Sequence, residues 1–204
     1  MSNKDKATKK IEDEILEEDF SLADDLLEWC ESFVVAIFVV ILVFIFLLRV
    51  IEVSGPSMNP TLWDKERVIL THINYTPESG DIIVCNSTGL EKLIIKRCIG
   101  VGGDTVVVNY TNNTVAVNGK LLDESYINEP MREIDILDRK YRNMESSDVE
   151  YVYHVPENTV LVMGDNRNHS ADGRAAYVGF VKYEDILGKV VFRFFPFGKM
   201  GFLK

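Results

Sequence analysis

The sequence predicts a mainly β fold class, with many short antiparallel strands preceded by one membrane-spanning helix. From residue 50 onward, short runs rich in β-branched and aromatic residues alternate with turn residues, which is typical of antiparallel sheets. The segment 106–120 (VVVNYTNNTVAVNGK) indicates a hairpin, because two alternating runs flank Asn112 and Asn113. A run of sixteen apolar residues at 33–48 stands apart from this pattern.

The β-rich part of the chain contains several runs with the length and composition of strands. The segment 130–150 is charged and only weakly apolar, so we expect a surface insertion or a flexible loop there. The expected strands include Arg67–Thr71, Asp81–Cys85, Leu93–Ile99, Thr105–Tyr110, Thr114–Asn118, Thr159–Met163 and Lys189–Phe195.

The apolar run at 33–48 predicts a transmembrane helix. Sixteen helical residues span roughly 24 Å, and continuing the helix to Ile51 brings it close to the thickness of a bilayer core. Trp29 and Arg49 are suited to the two interfaces. A cleavable secretory signal would begin earlier, follow a basic region and precede an A-x-A site, and a core helix of so small a domain would not be apolar on every face. We therefore place one membrane span at 33–51.

The chain before the span is acidic. The whole protein has a formal net charge of −10, and residues 1–32 hold four lysines against eleven Asp and Glu. Apolar residues recur at helical spacing over Ile11–Leu27, which predicts an amphipathic helix within this tail. No basic stripe is present, so nucleic acid is excluded as a partner. The lysines and arginines near the span lie on its C-terminal side, yet the positive-inside rule weakens before a long domain, so charge leaves the topology open.

The cysteines and histidines do not suggest a metal centre. The three histidines at 72, 154 and 169 have no metal-ligand spacing, so we expect no metal and no cofactor. Cys85 and Cys98 could pair if they lay on neighbouring strands, but three sparse cysteines favour free thiols.

Three polar segments carry the residues suited to chemistry. Ser57 follows the span in a rigid turn of Gly and Pro, and Lys96 lies within the apolar run 93–99. Strand alternation would place Lys96 on one face with Ile94 and Cys98, where burial would lower its pKa. The third segment, Gly164–Arg174, is dense in Asp, Asn, Ser and Arg. Each segment taken alone is ordinary turn or strand composition.

The three segments together resemble the bacterial type I signal peptidases. The nucleophile segment [GS]-x-S-M-x-P-T-L of that family is matched at 55–62, its K-R-x-x-G-x-x-G-D segment at 96–104, and its G-D-N-R-x-x-S-x-D-x-R segment at 164–174. The resemblance implies a coiled antiparallel β-sheet catalytic core at 52–104 and 154–204. Residues 105–153 would form a smaller inserted lobe. Departures occur at Ile94, Gly102 and Gly173, where the family commonly has tyrosine, proline and serine.

The resemblance implies a Ser–Lys peptidase. Ser57 would be the nucleophile and Lys96 the general base, with the Ser57 N–H as oxyanion donor. A second, side-chain donor is missing because residue 55 is Gly55. Met58 and Ile95 would wall the substrate pocket and admit only small side chains at −1 and −3 of a preprotein signal peptide.

The same resemblance assigns supporting roles to the third segment. Ser170 would orient the lysine, while Asp165, Arg167, Asp172 and Arg174 would hold the loop. It also implies a protein of the bacterial cell membrane with a single span, a cytoplasmic N-terminus and an extracytoplasmic catalytic domain.

Aromatic residues crowd the C-terminus, and apolar residues flank Ser57. Those not needed for the core would form a patch resting on the bilayer. The candidates are Phe192, Phe194, Phe195, Phe197, Phe202, Met58, Leu62 and Trp63.

Three alternatives compete with this interpretation. A Ser–His–Asp triad would use His169 and Asp172, although the signal peptidases with that arrangement have histidine where Lys96 stands. A self-cleaving repressor-type peptidase shares the dyad but does not explain the membrane span. The third alternative is a membrane-tethered binding module with a decayed catalytic site. A serine-reactive probe would not label Ser57 in such a protein.

Overall fold

The structure, a computed structural model, describes residues 25–42, 49–73 and 75–203. Residues 25–42 form an α-helix. No helix within the described ranges is both long enough and apolar enough to cross a membrane. Most of the expected amphipathic helix at 11–27 and residues 43–48 of the expected span lie outside these ranges.

The end of the expected span is not helical. Arg49–Glu52 form strand β1, which pairs antiparallel with strand β2 (Arg67–Thr71). The register places Val50 opposite Ile69 and Ile51 opposite Val68. Because residues 49–51 find backbone partners in this ladder, the prediction that they extend the helix is wrong.

Most of the chain predicted as the catalytic core forms one large antiparallel sheet, which confirms the mainly β fold class. Its path is β1-β2-β11-β3-β4-β9-β10, with β12 paired to β11. Each neighbouring pair along this path is antiparallel. Beyond β1 and β2, the strands are β3 (Ile82–Ser87), β4 (Lys92–Val101), β9 (Thr159–Met163), β10 (Val181–Lys182), β11 (Ile186–Phe195) and β12 (Gly201–Phe202).

The intervening chain forms a second antiparallel sheet in the order β7-β6-β5-β8. The expected hairpin is its β5–β6 ladder, in which Val106 faces Val117 and Asn109 faces Thr114. Its strands are β5 (Thr105–Asn109), β6 (Thr114–Val117), β7 (Lys120–Leu121) and β8 (Glu150–His154).

Alternation along the strands divides the core between the two faces of the large sheet. On β3, Ile83 and Cys85 pack into one cluster, while Ile82 and Val84 pack into another on the opposite face. Strand β9 alternates in the same way, since Val162 joins the first face and Leu161 packs with the smaller sheet. Both faces of the central strands are therefore buried, as their nearly continuous apolar sequences require.

The segment 130–150 packs more closely than its composition suggests. Met131 and Leu137 are buried against the smaller sheet, and Leu137 forms an isolated bridge with Ala175. This segment therefore lies against the loop that contains the third polar motif, even though many of its charged side chains stay exposed.

All three cysteines are free, as expected. Cys85 faces Ile94 on β4, and the Cys98 N–H donates to Asp81 O, which lies four residues before Cys85. At about 3.3 Å per residue, the two thiols are too far apart along the ladder to form a disulfide. Burial raises the pKa of both thiols to about 12.

Candidate active site

Ser57 and Lys96 meet at the centre of the site. Ser57 lies in the turn between β1 and β2, whereas Lys96 lies in the middle of β4. Their Nζ and Oγ atoms are 2.8 Å apart, and Lys96 Nζ also donates to Ile95 O at 2.9 Å. The fold thus brings together two residues that are 39 positions apart in the sequence.

Lys96 is held in an environment that disfavours its charged form. Its exposed fraction is 4%, and Ile94 and Cys98 on the same strand face are buried with it. Burial lowers the pKa of Lys96 below its ordinary value, although the Asp172 carboxylate opposes the shift. A lowered pKa leaves more of the lysine in its neutral form near neutral pH. Only the neutral amine has a free lone pair, with which it can accept a proton from a neighbouring hydroxyl.

The turn that presents Ser57 is held by its own backbone. Gly55 has φ +86°, a conformation that favours glycine, and its N–H donates to Asp64 Oδ1 at 2.7 Å. After Ser57, the Leu62 N–H donates to Met58 O at 2.9 Å. Within residues 49–73 and 75–203, no acceptor takes the Ser57 N–H, so it can donate to a bound group.

The third motif is attached directly to this turn. The Asn166 N–H donates to Ser57 O at 3.0 Å, and Asn166 Nδ2 donates to Pro56 O at 3.1 Å. Gly164 permits the close approach, because a Cβ there would lie 2.5 Å from Ser57 O and 2.3 Å from Ser170 Oγ. A side chain at position 164 would therefore push the third motif away from Ser57.

Asp172 and Arg174 form a fully buried ion pair inside the third motif. Arg174 Nε donates to Asp172 Oδ1 at 2.8 Å, and the Gly164 N–H donates to Asp172 Oδ2 at 2.9 Å. Burial alone would raise the pKa of Asp172, but the Arg174 guanidinium and these hydrogen bonds outweigh it and hold the pKa below its ordinary value. Arg174 also donates to Arg167 O at 2.7 Å, which fixes the curvature of the loop.

Asp165 connects the three motifs. Its carboxylate accepts two hydrogen bonds from Arg97, at 2.9 and 2.7 Å, and one from Thr61 Oγ1 at 2.5 Å. Arg97 follows Lys96 on β4, and Thr61 lies in the turn that contains Ser57. The sequence motifs include Arg97 and Thr61 without indicating these contacts, since Asp165 lies 68 positions from Arg97 and 104 positions from Thr61.

Arg167 connects the third motif to the smaller sheet region rather than to another part of the core. Its guanidinium is an ion-pair partner of Glu124 and donates to Tyr126 Oη at 3.1 Å. The Tyr126 ring also lies 4.1 Å from the Arg97 guanidinium. Glu124 and Tyr126 were not predicted as site residues, because nothing in the charged segment around them matches a motif.

Ser170 is buried but does not make the expected contact. No hydrogen bond joins its Oγ to Lys96, whose Nζ donates to Ser57 and Ile95 instead, and the Ser170 hydroxyl helps to hold the pKa of Asp172 below its ordinary value. The Ser170 hydroxyl therefore lies within the site without orienting Lys96 in this arrangement.

His169 is placed unfavourably for the competing triad. Its side chain is exposed, and it makes no hydrogen bond to Ser57 or Asp172 within the described ranges. The Asp172 oxygens are already bonded to Arg174 and Gly164. The geometry therefore favours Lys96 over His169 as the partner of Ser57.

A groove of about 380 Å³ opens at the dyad. Both Met58, whose exposed fraction is only 1%, and the half-buried Ile95 line it. The end of β1 and the first half of β4 both contribute to its lining. The lining residues are Ile51–Met58, Val84, Leu90, Lys92–Lys96 and Ala171.

The parts of the chain that the structure describes contain no cluster of three or more His, Cys, Asp or Glu side chains arranged to hold a metal ion. The polar groups of the site instead bond to one another. Asp165 and Asp172, the two acidic residues of the third motif, are each paired with an arginine.

The departures from the family pattern have local explanations. A Cβ at Gly173 would lie 2.8 Å from Val162 O, to which the Gly173 N–H donates, so serine would not fit here without a shift. Gly102 approaches Glu157 and Asn158 with little space for a larger residue. Ile94 packs with Ile83 and Cys85 in the core.

Comparisons with known proteins agree with one another. The family described as "Signal peptidase, peptidase S26" matches residues 26–195. The protein named signal peptidase IB of Staphylococcus aureus is 36% identical over 187 residues, which cover 86% of this chain and 92% of that protein. The probable signal peptidase I-2 of Synechocystis is 37% identical over 186 residues, covering 87% of this chain and 77% of that protein.

Solved structures also match part of the chain. The crystal structure of a signal peptidase I from Enterococcus faecalis is 31% identical, covers 56% of this chain and 97% of that one, and gives a TM-score of 0.42. The family assignment does not depend on this superposition.

Proposed function

The chain belongs to the signal peptidase family, peptidase S26, and from that premise we propose that it is a membrane-bound serine endopeptidase that removes N-terminal signal peptides from exported preproteins. The single observation that carries the proposal is the 2.8 Å contact between Ser57 Oγ and the buried Lys96 Nζ. A serine hydroxyl becomes an effective nucleophile when a base accepts its proton.

The reaction proceeds through an acyl-enzyme. Neutral Lys96 accepts the Ser57 proton while Oγ attacks the scissile carbonyl, and the protonated lysine then gives that proton to the leaving amine. Lys96 next takes a proton from the water that attacks the ester, and it returns this proton to Ser57 Oγ as the signal peptide leaves. Burial of Lys96 supports this role, because it lowers the pKa toward the range in which the neutral amine is available.

The Ser57 N–H is the oxyanion donor. It has no acceptor in the described protein, and it lies on the nucleophile itself, where the negative oxygen develops. Gly55 offers no hydroxyl as a second donor. The tight attachment of the turn through Asn166 supports a preorganised position for this N–H.

The substrate binds as an extended strand. The ladder between β9 and β4 begins at Arg97, so the outer edge of β4 over Lys92–Lys96 has no neighbouring strand within the described ranges. Strand β1 is at the end of the sheet path and borders the same groove. An extended peptide between these edges would direct side chains −1 and −3 toward Met58 and Ile95, where bulky walls leave room only for small residues.

The remaining third-motif residues have structural roles in the proposed enzyme. Asp165, Arg167, Asp172 and Arg174 hold the loop against β4 and the smaller lobe, as their buried contacts support. Ser170 is buried beside Gly164, where the third motif meets the turn that contains Ser57.

The protein acts at the bacterial cell membrane, with one N-terminal span, a cytoplasmic N-terminus and the catalytic domain on the outer side. The sixteen-residue apolar run and the exposed aromatic side chains near the C-terminus support this placement. Its partners are preproteins and the phospholipid bilayer, and the Ser–Lys chemistry requires neither a metal nor a cofactor.

Dyad substitutions test the proposal with purified protein and a preprotein. Ser57→Ala and Lys96→Ala should each lower kcat by more than about 10³-fold, and the double variant should be little worse, since the pair acts as a unit. His169→Ala, at an exposed position, should keep most of the activity. Preprotein cleavage by the Lys96→Ala protein, or loss of cleavage in a folded His169→Ala protein, would rule out the Ser–Lys mechanism.

A further inference from the structure

The turn between β1 and β2 that contains Ser57, called here the nucleophile turn, is also held by a residue that lies outside the three motifs. Thr61 contributes two atoms, since its Oγ1 donates to Asp165 and its carbonyl accepts from Arg193 Nη1 at 3.0 Å. The turn between Met58 and Leu62 is closed by a backbone hydrogen bond, so a shift of the Thr61 carbonyl would be passed to Ser57.

Arg193 is well placed to hold that carbonyl. It lies on β11, paired with Val68 of β2, and only 19% of its side chain is exposed. The guanidinium also donates to Glu66 Oε2 at 3.0 Å and, through Nε, to Lys199 O at 2.8 Å. It thus joins three chain segments in one plane, which a lysine ammonium could not reproduce.

The partner carboxylate strengthens the attachment to the turn. Glu66 is 4% exposed on its side chain and accepts a further hydrogen bond from the Trp63 N–H at 3.1 Å. The Lys199 ammonium lies 3.6 Å from the other Glu66 oxygen. A buried carboxylate with cationic neighbours fixes the orientation of the guanidinium, because leaving either charge unpaired inside the protein is unfavourable.

We propose that Arg193 is a positioning residue for Ser57, holding the nucleophile turn by its Thr61 carbonyl at the distance that Lys96 needs. The inference rests on the proposed peptidase function, and Arg193 itself does not touch the dyad. Its effect is on geometry, and a misplacement of about 1 Å at a reacting atom can reduce a rate about 100-fold.

The first test measures kcat and KM of full-length Arg193→Ala on a preprotein peptide. We expect kcat to fall about 10- to 100-fold with KM changed less than about threefold, and free guanidinium to restore part of kcat. Arg132→Ala is the matched control, because that side chain is 75% exposed and should show neither effect. A kcat within about twofold of the wild-type value, or a loss that guanidinium leaves unchanged, would overturn the proposal.

A second measurement needs no peptidase activity. In a protein with Ser57→Cys and Cys30→Ser, nearby Lys96 should lower the pKa of the introduced thiol, while Cys85 and Cys98 stay inert because burial raises their pKa to about 12. Adding Arg193→Ala should raise the pH midpoint of iodoacetamide labelling by about half a unit or more. An unchanged midpoint would overturn the role of Arg193, whereas a wild-type protein that cleaves no preprotein would contradict the proposed function alone.

Discussion

Burying Lys96 favours reactivity at the expense of stability. In the folded protein its pKa lies below the ordinary value because the side chain is withdrawn from water, and in the unfolded chain the value returns to about 10.4. Between these two pKa values the unfolded state binds the additional proton, so stability rises with pH across that window. Below the folded pKa both states are protonated, and the full cost of burying the charge remains.

A Lys96→Met substitution should therefore abolish cleavage and stabilise the fold. We expect a gain of about 0.5–2 kcal/mol in the free energy of unfolding near pH 6, shrinking toward pH 10. Denaturant unfolding at the two pH values measures it. Lys120→Met, at an exposed position on β7, is the control and should show no such dependence. Equal or lower stability of Lys96→Met at pH 6 would mean that burial does not penalise this lysine.

The contact between Gly164 and the nucleophile turn gives a second prediction at this scale. In Gly164→Ala the added Cβ would lie 2.5 Å from Ser57 O and closer still to Ser170 Oγ. Both distances are too short for non-bonded atoms, so the turn must move. We expect kcat to fall roughly 100-fold and stability to fall by about 1–3 kcal/mol. Gly198→Ala, where a Cβ meets nothing within 4 Å, should leave both quantities near wild type. Normal activity in Gly164→Ala would show that the third motif need not lie so close.

At the scale of elements, the end of β11 and the turn after it expose aromatic side chains that the core does not use. Phe197 and Phe202 are 74% and 84% exposed, and Trp63 beside the nucleophile turn is 47% exposed. Met58 and Leu62 are buried and therefore belong to the members of the candidate group that serve the core. The exposed group supports contact between the catalytic region and lipid.

A protein lacking residues 1–48 should remain active and still bind vesicles. The deletion ends just before Arg49, so strand β1 and its ladder stay complete. Flotation with neutral phosphatidylcholine vesicles measures binding, and Phe197→Ser with Phe202→Ser should weaken it more than about tenfold, since burying each ring stabilises binding by about 1.5–3 kcal/mol. Binding unaffected by these changes would place the lipid contact elsewhere.

Strands with strong alternation could be predicted from the sequence, and others could not. Arg67–Thr71 and Thr159–Met163 form strands with the predicted bounds. Strand β1 was missed because its apolar residues continue a longer apolar run, and β8 because it follows a charged segment. In both cases a distant partner strand, rather than local composition, decides the conformation.

The whole molecule explains how the site arises from distant parts of the chain. The sheet order places β4 between β3 and β9, so the loop after β9 meets the turn before β2 across the end of β4. Ser57 and Lys96 could be proposed from motifs, because their types and surroundings suit the chemistry. The links through Asp165 and Arg193 could not, since they join residues 68 and 132 positions apart through packing alone.

The smaller sheet contributes to the same site through its connections. Tyr126 and Glu124 contact Arg97 and Arg167, so the region predicted as a variable lobe also supports the motifs. A chain folded in this way presents one groove at the dyad, lined by residues of β1 and β4 and by Met58.

The most direct test of this account is to incubate the purified full-length protein with preproteins varied at −1 and −3 and to sequence the new N-terminus. The account predicts one cut, after an Ala-x-Ala-like sequence just beyond the apolar segment, with none in Ser57→Ala and little when −1 is Leu or Phe. Cleavage after Leu or Phe as fast as after Ala would contradict the small-pocket interpretation, and no new N-terminus with the wild-type protein would contradict the proposed function.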